Sequence, residues 1–132
     1  MDIIGDGQLK SKLEEKINMY NINDKVRILP FTKNIRDEYL NLSIYALTSY
    51  DEGFPMVLLE AREFGLPCIA FKSFGPCIII KDGEDGILID NGDIENFAKR
   101  LQELINDKEL MRQLGNRAKN NKKFNIDDIC EK

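Results

Sequence analysis

Glu52 and Glu60 are the residues of this chain whose type and spacing could do chemistry. Seven residues separate them, and the segment around them, Ser49 to Ala61, carries a turn built from Gly53, Phe54 and Pro55. A carboxylate offers two acceptor oxygens, and hydrogen bonds to an ionised acceptor are roughly twice as strong as neutral ones. Two such groups could hold two sets of hydroxyls. Acids near a helix start are also common because they complement the helix dipole, so Glu60 could equally be a solvated helix position. The chain contains no histidine, which excludes Ser-His-Asp and Cys-His mechanisms and disfavours zinc. Any chemistry rests on carboxylates and backbone dipoles.

The elements that must position these acids are legible nearby. Pro55 suits the first helical position, where its missing N–H costs nothing. Gly65 followed by Pro67 is a helix stop, with Gly at C′ and Pro preventing continuation. The pattern predicts a helix from about Pro55 to about Phe64, with Glu52 in the loop before it. Glu60 then lies on the second turn, ~7–8 Å along the axis from Pro55 at ~1.5 Å per residue. Between the two acids lie free backbone N–H groups and the positive end of the helix dipole, which suit an anion. Ile44 to Thr48 is a short apolar run that reads as a buried strand. A strand, a Gly-containing turn and a helix N-terminus form the general ligand site of open α/β sheets. Two hydroxyl-binding acids around a phosphate seat match the shape of a nucleotide-sugar.

The run from Ser49 to Ala61, with Gly65, Leu66 and Pro67 and then Gly75 and Pro76, resembles glycosyltransferase family 4, the retaining GT-B enzymes. Their signature is a Glu, seven spacers and a second Glu, usually around Glu-Gly-Phe-Pro. The likeness extends through Ile3 to Gly7, Val26 to Pro30, Asp82 and Gly83, Gly86 to Ile89, and Leu114 and Gly115. It covers nearly the whole chain. It implies the C-terminal, donor-binding half of such an enzyme, with the first strand unit absent because Met1 stands almost directly before Ile3. That unit normally carries an Arg and a Lys for the donor diphosphate, so the chain is read as truncated at its N-terminus, by nature or by cutting.

Composition is consistent with one compact domain. The chain has 132 residues, 42% of them hydrophobic, enough for a single core. Net charge is −4, with 19 basic against 23 acidic residues, which argues against a nucleic-acid partner. The densest basic cluster, Lys119 to Lys123, reads as a solvated helix end with Asp127 and Asp128 close behind. No apolar stretch approaches the ~20 residues of a membrane span, and no signal peptide is present. The three cysteines have no metal-ligand spacing: Cys68 opens an apolar run, Cys77 falls in a loop and Cys130 in the tail. Unpaired thiols suit a reducing cytoplasm. A peripheral place at the inner membrane face, through the absent half, stays open.

Along the chain, Asp2 to Ile4 reads as a strand remnant ended by Gly5, Asp6 and Gly7. Leu9, Leu13, Ile17 and Tyr20 recur at near-helical spacing and predict one buried stripe. Val26 to Leu29 is the next strand, and a short polar helix from about Asn34 to Asn41 follows. Cys68 to Phe71 is a strand, the region of Phe74, Gly75 and Pro76 a loop, and Gly86 to Ile89 the last strand. Asp93 can cap a helix whose Phe97, Leu101, Leu104 and Ile105 face the core, and another helix begins near Asp107. The alternation predicts a Rossmann-like α/β domain, a parallel sheet with helices on both faces.

The resemblance also implies roles. Glu60 would accept the ribose 2′- and 3′-hydroxyls, and Glu52 would contact hydroxyls of the transferred sugar and serve catalysis. Backbone N–H groups of Gly53, Phe54, Met56 and Val57 would face the sugar and diphosphate, while Pro55, lacking an N–H, fixes shape. Arg27, Leu29 and Pro30 would read the base, although Arg27 is as well read as an exposed strand arginine. Gly5 and Gly7 would turn toward the same cleft, or mark only a strand–helix turn. One departure is Ile78, where the family often has Glu; it either costs the loop a carboxylate or joins the core. The implied reaction is transfer of a hexose from a nucleoside diphosphate sugar to a saccharide or lipid-linked acceptor, with no metal or other cofactor. The acceptor would bind the missing N-terminal half, leaving the isolated chain inactive. Surface polysaccharide or lipopolysaccharide assembly is the family-level setting. A degenerate, non-catalytic module that binds nucleotide or a protein partner is the alternative. A dehydrogenase is disfavoured because Lys10 breaks the Gly-x-Gly-x-x-Gly fingerprint.

Overall fold

A computed structural model describes residues 1–121 and 123. Cys130, Asp127 and Asp128 lie outside the described residues. Five strands alternate with six helices in the order β1(Asp2–Ile4), α1(Lys10–Met19), β2(Arg27–Leu29), α2(Ile35–Asn41), β3(Tyr45–Leu47), α3(Met56–Glu63), β4(Cys68–Phe71), α4(Phe74–Ile79), β5(Ile87–Ile89), α5(Ile94–Asn106) and α6(Lys108–Asn120). The chain divides into two compact units, Met1–Asp37 and Glu38–Lys132.

In the second unit β3, β4 and β5 form a parallel sheet in that order, with Tyr45 opposite Cys68 and Ile69 opposite Ile87. All four residues of β4 are buried. Side chains alternate along a strand, so Cys68 and Ala70 enter one apolar cluster with Tyr39, Leu58, Leu59 and Ile79. Ile69 and Phe71 enter another with Ile87, Ile89, Phe97, Leu104 and Leu114. The sheet is thus covered on both faces, α2, α3 and α4 on one and α5 and α6 on the other, as a parallel sheet must be. Asp93 and Asp107 cap α5 and α6 by accepting the Asn96 and Leu110 N–H groups.

In the first unit β1 and β2 pair in parallel, Ile3 opposite Ile28, and Gly5 N–H continues the ladder to the Leu29 carbonyl at 3.0 Å. The stripe expected on α1 is not buried. Leu9 is 62% and Tyr20 63% exposed, and the helix contains no buried residue. Periodicity correctly marks an apolar face, but within this unit two three-residue strands supply too little surface to cover it.

Two further expectations change. Phe74, Gly75 and Pro76 open α4 rather than a loop, and Cys77 is an exposed helical residue. Proline in a first turn gives up an N–H that has no intrahelical acceptor, so Gly-Pro is compatible with a helix start. Pro55 is the N-cap of α3, with φ −76° and ψ 99°, not its first helical residue.

Candidate functional site

The loop from β3 to α3 carries Glu52, and α3 carries Glu60. Leu58, Leu59, Ala61 and Arg62 are the buried residues of this helix, which leaves Glu60 half-buried at the border of the packed face. The helix ends as its sequence requires. Gly65 takes φ 72°, its N–H reaches Arg62 O, and Leu66 N–H reaches Ala61 O, the pair of bonds of a Schellman cap. At the other end Leu58 N–H turns back to Pro55 O. The Met56 and Val57 N–H groups come one and two residues after the N-cap, where helical geometry offers no intrahelical acceptor.

Glu60 is held from below. Tyr39 of α2 is 3% exposed, and its hydroxyl donates to Glu60 Oε2 at 2.9 Å. The Tyr39 ring stacks on Phe64 with centroids 5.3 Å apart. Burial first, then the bond to Glu60, pushes the Tyr39 hydroxyl well above an ordinary phenol, so it stays protonated as the donor. Tyr45 is pushed up to about 12, by burial and then by the charges of Cys68, Glu60 and Glu52.

The Glu52 loop is fixed by its contact with α4. Gly75 N–H donates to Glu52 O at 2.8 Å. A Cβ on Gly75 would stand 2.4 Å from Pro55 Cδ and 2.6 Å from Gly53 O, so only glycine admits this approach. Gly53, Phe54, Met56 and Val57 are exposed and Pro55 is buried. Ile78, on α4, is half-buried and outside both apolar clusters.

The remaining sequence-predicted residues belong to the first unit. Gly5, Gly7, Leu29 and Pro30 lie at or just beyond the carboxyl ends of β1 and β2. Arg27 does not join them: it stands at the amino end of β2, opposite Asp2. Its guanidinium forks onto that carboxylate at 2.8 and 2.7 Å, holding Asp2 below the usual range. Tyr39 and the packing role of Gly75 escaped the sequence reading. The one available signal for Tyr39 was that it is the aromatic residue of a short, largely charged helix. Among the described residues no cluster of three or more acids or thiols could hold a metal, and no helix is long and apolar enough to cross a membrane.

Comparison with known proteins fits this arrangement. The family model for "Glycosyl transferases group 1" matches residues 1–121. The amylovoran biosynthesis glycosyltransferase AmsD of Erwinia amylovora is 39% identical over 117 residues, covering 88% of this chain and 33% of that protein. A structure of S. aureus TarM with fondaparinux, α-GlcNAc-glycerol and UDP superposes at TM-score 0.91, with 28% identity, over 98% of this chain and 27% of that one. The C-terminal domain of a group 1 family protein, LpcC, from Francisella tularensis superposes at TM-score 0.82, with 27% identity, over 89% of this chain and 63% of that one. The chain spans between 12% and 38% of the length of the curated relatives it matches first. Its parallel α/β architecture is that of the C-terminal, Rossmann-like domain of GT-B enzymes, and the chain belongs to the group 1 glycosyl transferases.

Proposed function

We propose that this chain is the donor-binding domain of a retaining glycosyltransferase of family 4. The whole protein would move a hexose from a nucleoside diphosphate sugar to a saccharide or lipid-linked acceptor. The observation that carries the reading is the setting of Glu60, half-buried on α3 and gripped by a buried phenol, on a helix whose N-cap residue makes no side-chain capping bond. Glu60 takes the ribose diol. Glu52 orients the sugar through its hydroxyls and favours positive charge at the anomeric carbon. The amides of Gly53, Phe54, Met56 and Val57, at the positive end of α3, receive the diphosphate charge that grows as the sugar leaves. Pro55 holds the loop in shape. Leu29 and Pro30, with Gly5 and Gly7 at the same strand ends of the first unit, supply backbone groups for the base, while Arg27, at the other end of β2 and pinned by Asp2, is the exposed strand arginine.

Donor binding on this reading needs no metal ion, and the acceptor binds a further domain. Calorimetric titration with UDP, GDP and ADP and their glucose esters, in EDTA, tests it. At least one is expected to bind, and Glu60→Gln should weaken that ligand by about tenfold, the worth of a charged hydrogen bond. Binding by none of them, or a Glu60→Gln protein with unaltered affinity, overturns the assignment.

A non-catalytic module is the second reading, and Ile78 favours it, since an isoleucine at that position of α4 gives no carboxylate to the site. Donor hydrolysis or transfer by the full-length protein, abolished by Glu52→Gln, would exclude it.

A further inference from the structure

We propose that Tyr39 is a positioning residue that makes the domain selective for a ribose diol, by fixing which lone pairs of Glu60 remain for the ligand. The inference rests on the role given to Glu60 above. A free glutamate on a helix surface samples several rotamers, and each of its oxygens can face either way. Here the Tyr39 hydroxyl occupies Oε2 at 2.9 Å. The alternative acceptor, Val57 O at 3.5 Å, is too distant to compete well. The phenol cannot drift: it is 3% exposed, stacked on Phe64 and tilted against Tyr45 with centroids 6.0 Å apart. It also stays protonated, so it adds no negative charge beside the carboxylate. Glu60 is left with Oε1 and one lone pair of Oε2 directed away from Tyr39. That is enough for two adjacent hydroxyl donors held at a set angle.

Without Tyr39 the carboxylate could still meet one hydroxyl, but its plane would no longer be set for two. The loss should therefore fall on the second hydroxyl rather than on binding in general. The measurement compares the tightest-binding of UDP, GDP and ADP with its 2′-deoxy analogue, in the native protein, Tyr39→Phe, Glu60→Gln and the double variant. The native protein should prefer the ribo form by about tenfold. Tyr39→Phe should reduce that preference to about threefold or less, and should change it no further in the Glu60→Gln background. A general loosening of the fold would weaken both ligands alike and leave their ratio standing. If the native protein discriminates and Tyr39→Phe keeps the full ratio, Tyr39 has no positioning role while the reading of Glu60 survives. If the native protein does not discriminate, the reading of Glu60 falls and this inference with it.

Discussion

At the scale of single residues, Gly75 is sensitive to change although it has no functional group at all. Its amide holds the Glu52 carbonyl, and its missing side chain lets α4 close on Gly53 and Pro55. Adding one methyl there forces the Glu52 loop outward, a form of overpacking that costs about 1–3 kcal/mol. Gly75→Ala should therefore lose donor affinity together with stability, seen as a lower urea midpoint and weaker nucleotide titration. Sequence alone exposed Glu52, Glu60 and the cap glycine Gly65, because turn chemistry and helix stops are written in adjacent residues. It did not expose Tyr39, which meets Glu60 from 21 residues away. Nor could it separate Arg27 from Leu29: both lie on one short strand, and only the register with β1 shows that Arg27 faces Asp2.

At the scale of elements, α3 is anchored by an ion pair as well as by apolar packing. Arg62 donates to Asp85 Oδ2 at 2.9 Å and to Asp85 O at 3.1 Å, with side chains 6% and 5% exposed. Asn121 and the Lys81 N–H complete the set of bonds to the same carboxylate. Burial works to raise Asp85, but the bonds from Arg62, Asn121 and Lys81 outweigh it and hold the group below its ordinary 3.8. A depressed folded-state pKa adds stability above the unfolded value and loses it as pH falls through the folded value. Denaturant melts should therefore show stability falling below about pH 4, with a shallower fall in Asp85→Asn. Arg62→Ala leaves a carboxylate buried and unpaired, and should cost about 3–5 kcal/mol at neutral pH. The cap at Asp93 and the helix start near Asp107 were plain in the sequence, since a capping side chain precedes its own helix. The stripe of α1 was not, because spacing names an apolar face without saying what lies against it.

At the scale of the whole molecule, the buried core belongs to one unit. Every buried hydrophobic residue, from Tyr39 to Ala118, lies in the second unit, and none of the described residues of the first is buried. Local stability follows buried apolar contact. Hydrogen exchange should find the amides of β4 slowest, and those of β1 and β2 faster by at least about tenfold; equal protection in both would contradict this distribution. The sheet with helices on both faces was readable because β4 is an unbroken apolar run between turn signals. The division into units was not, since it depends on contact density rather than on any boundary residue.

The last helix touches the first turn beyond α3 more closely than a side chain would allow. A Cβ on Gly115 would stand 2.1 Å from Gly65 O, and a few residues later Asn121 grips the carboxylate that Arg62 holds. α6 and the residue after it thus meet the C-terminal end of α3 and its ion pair at two points, one a steric contact and one a hydrogen bond. A side chain at Gly115 would therefore press on the turn that ends α3, the helix that carries Glu60.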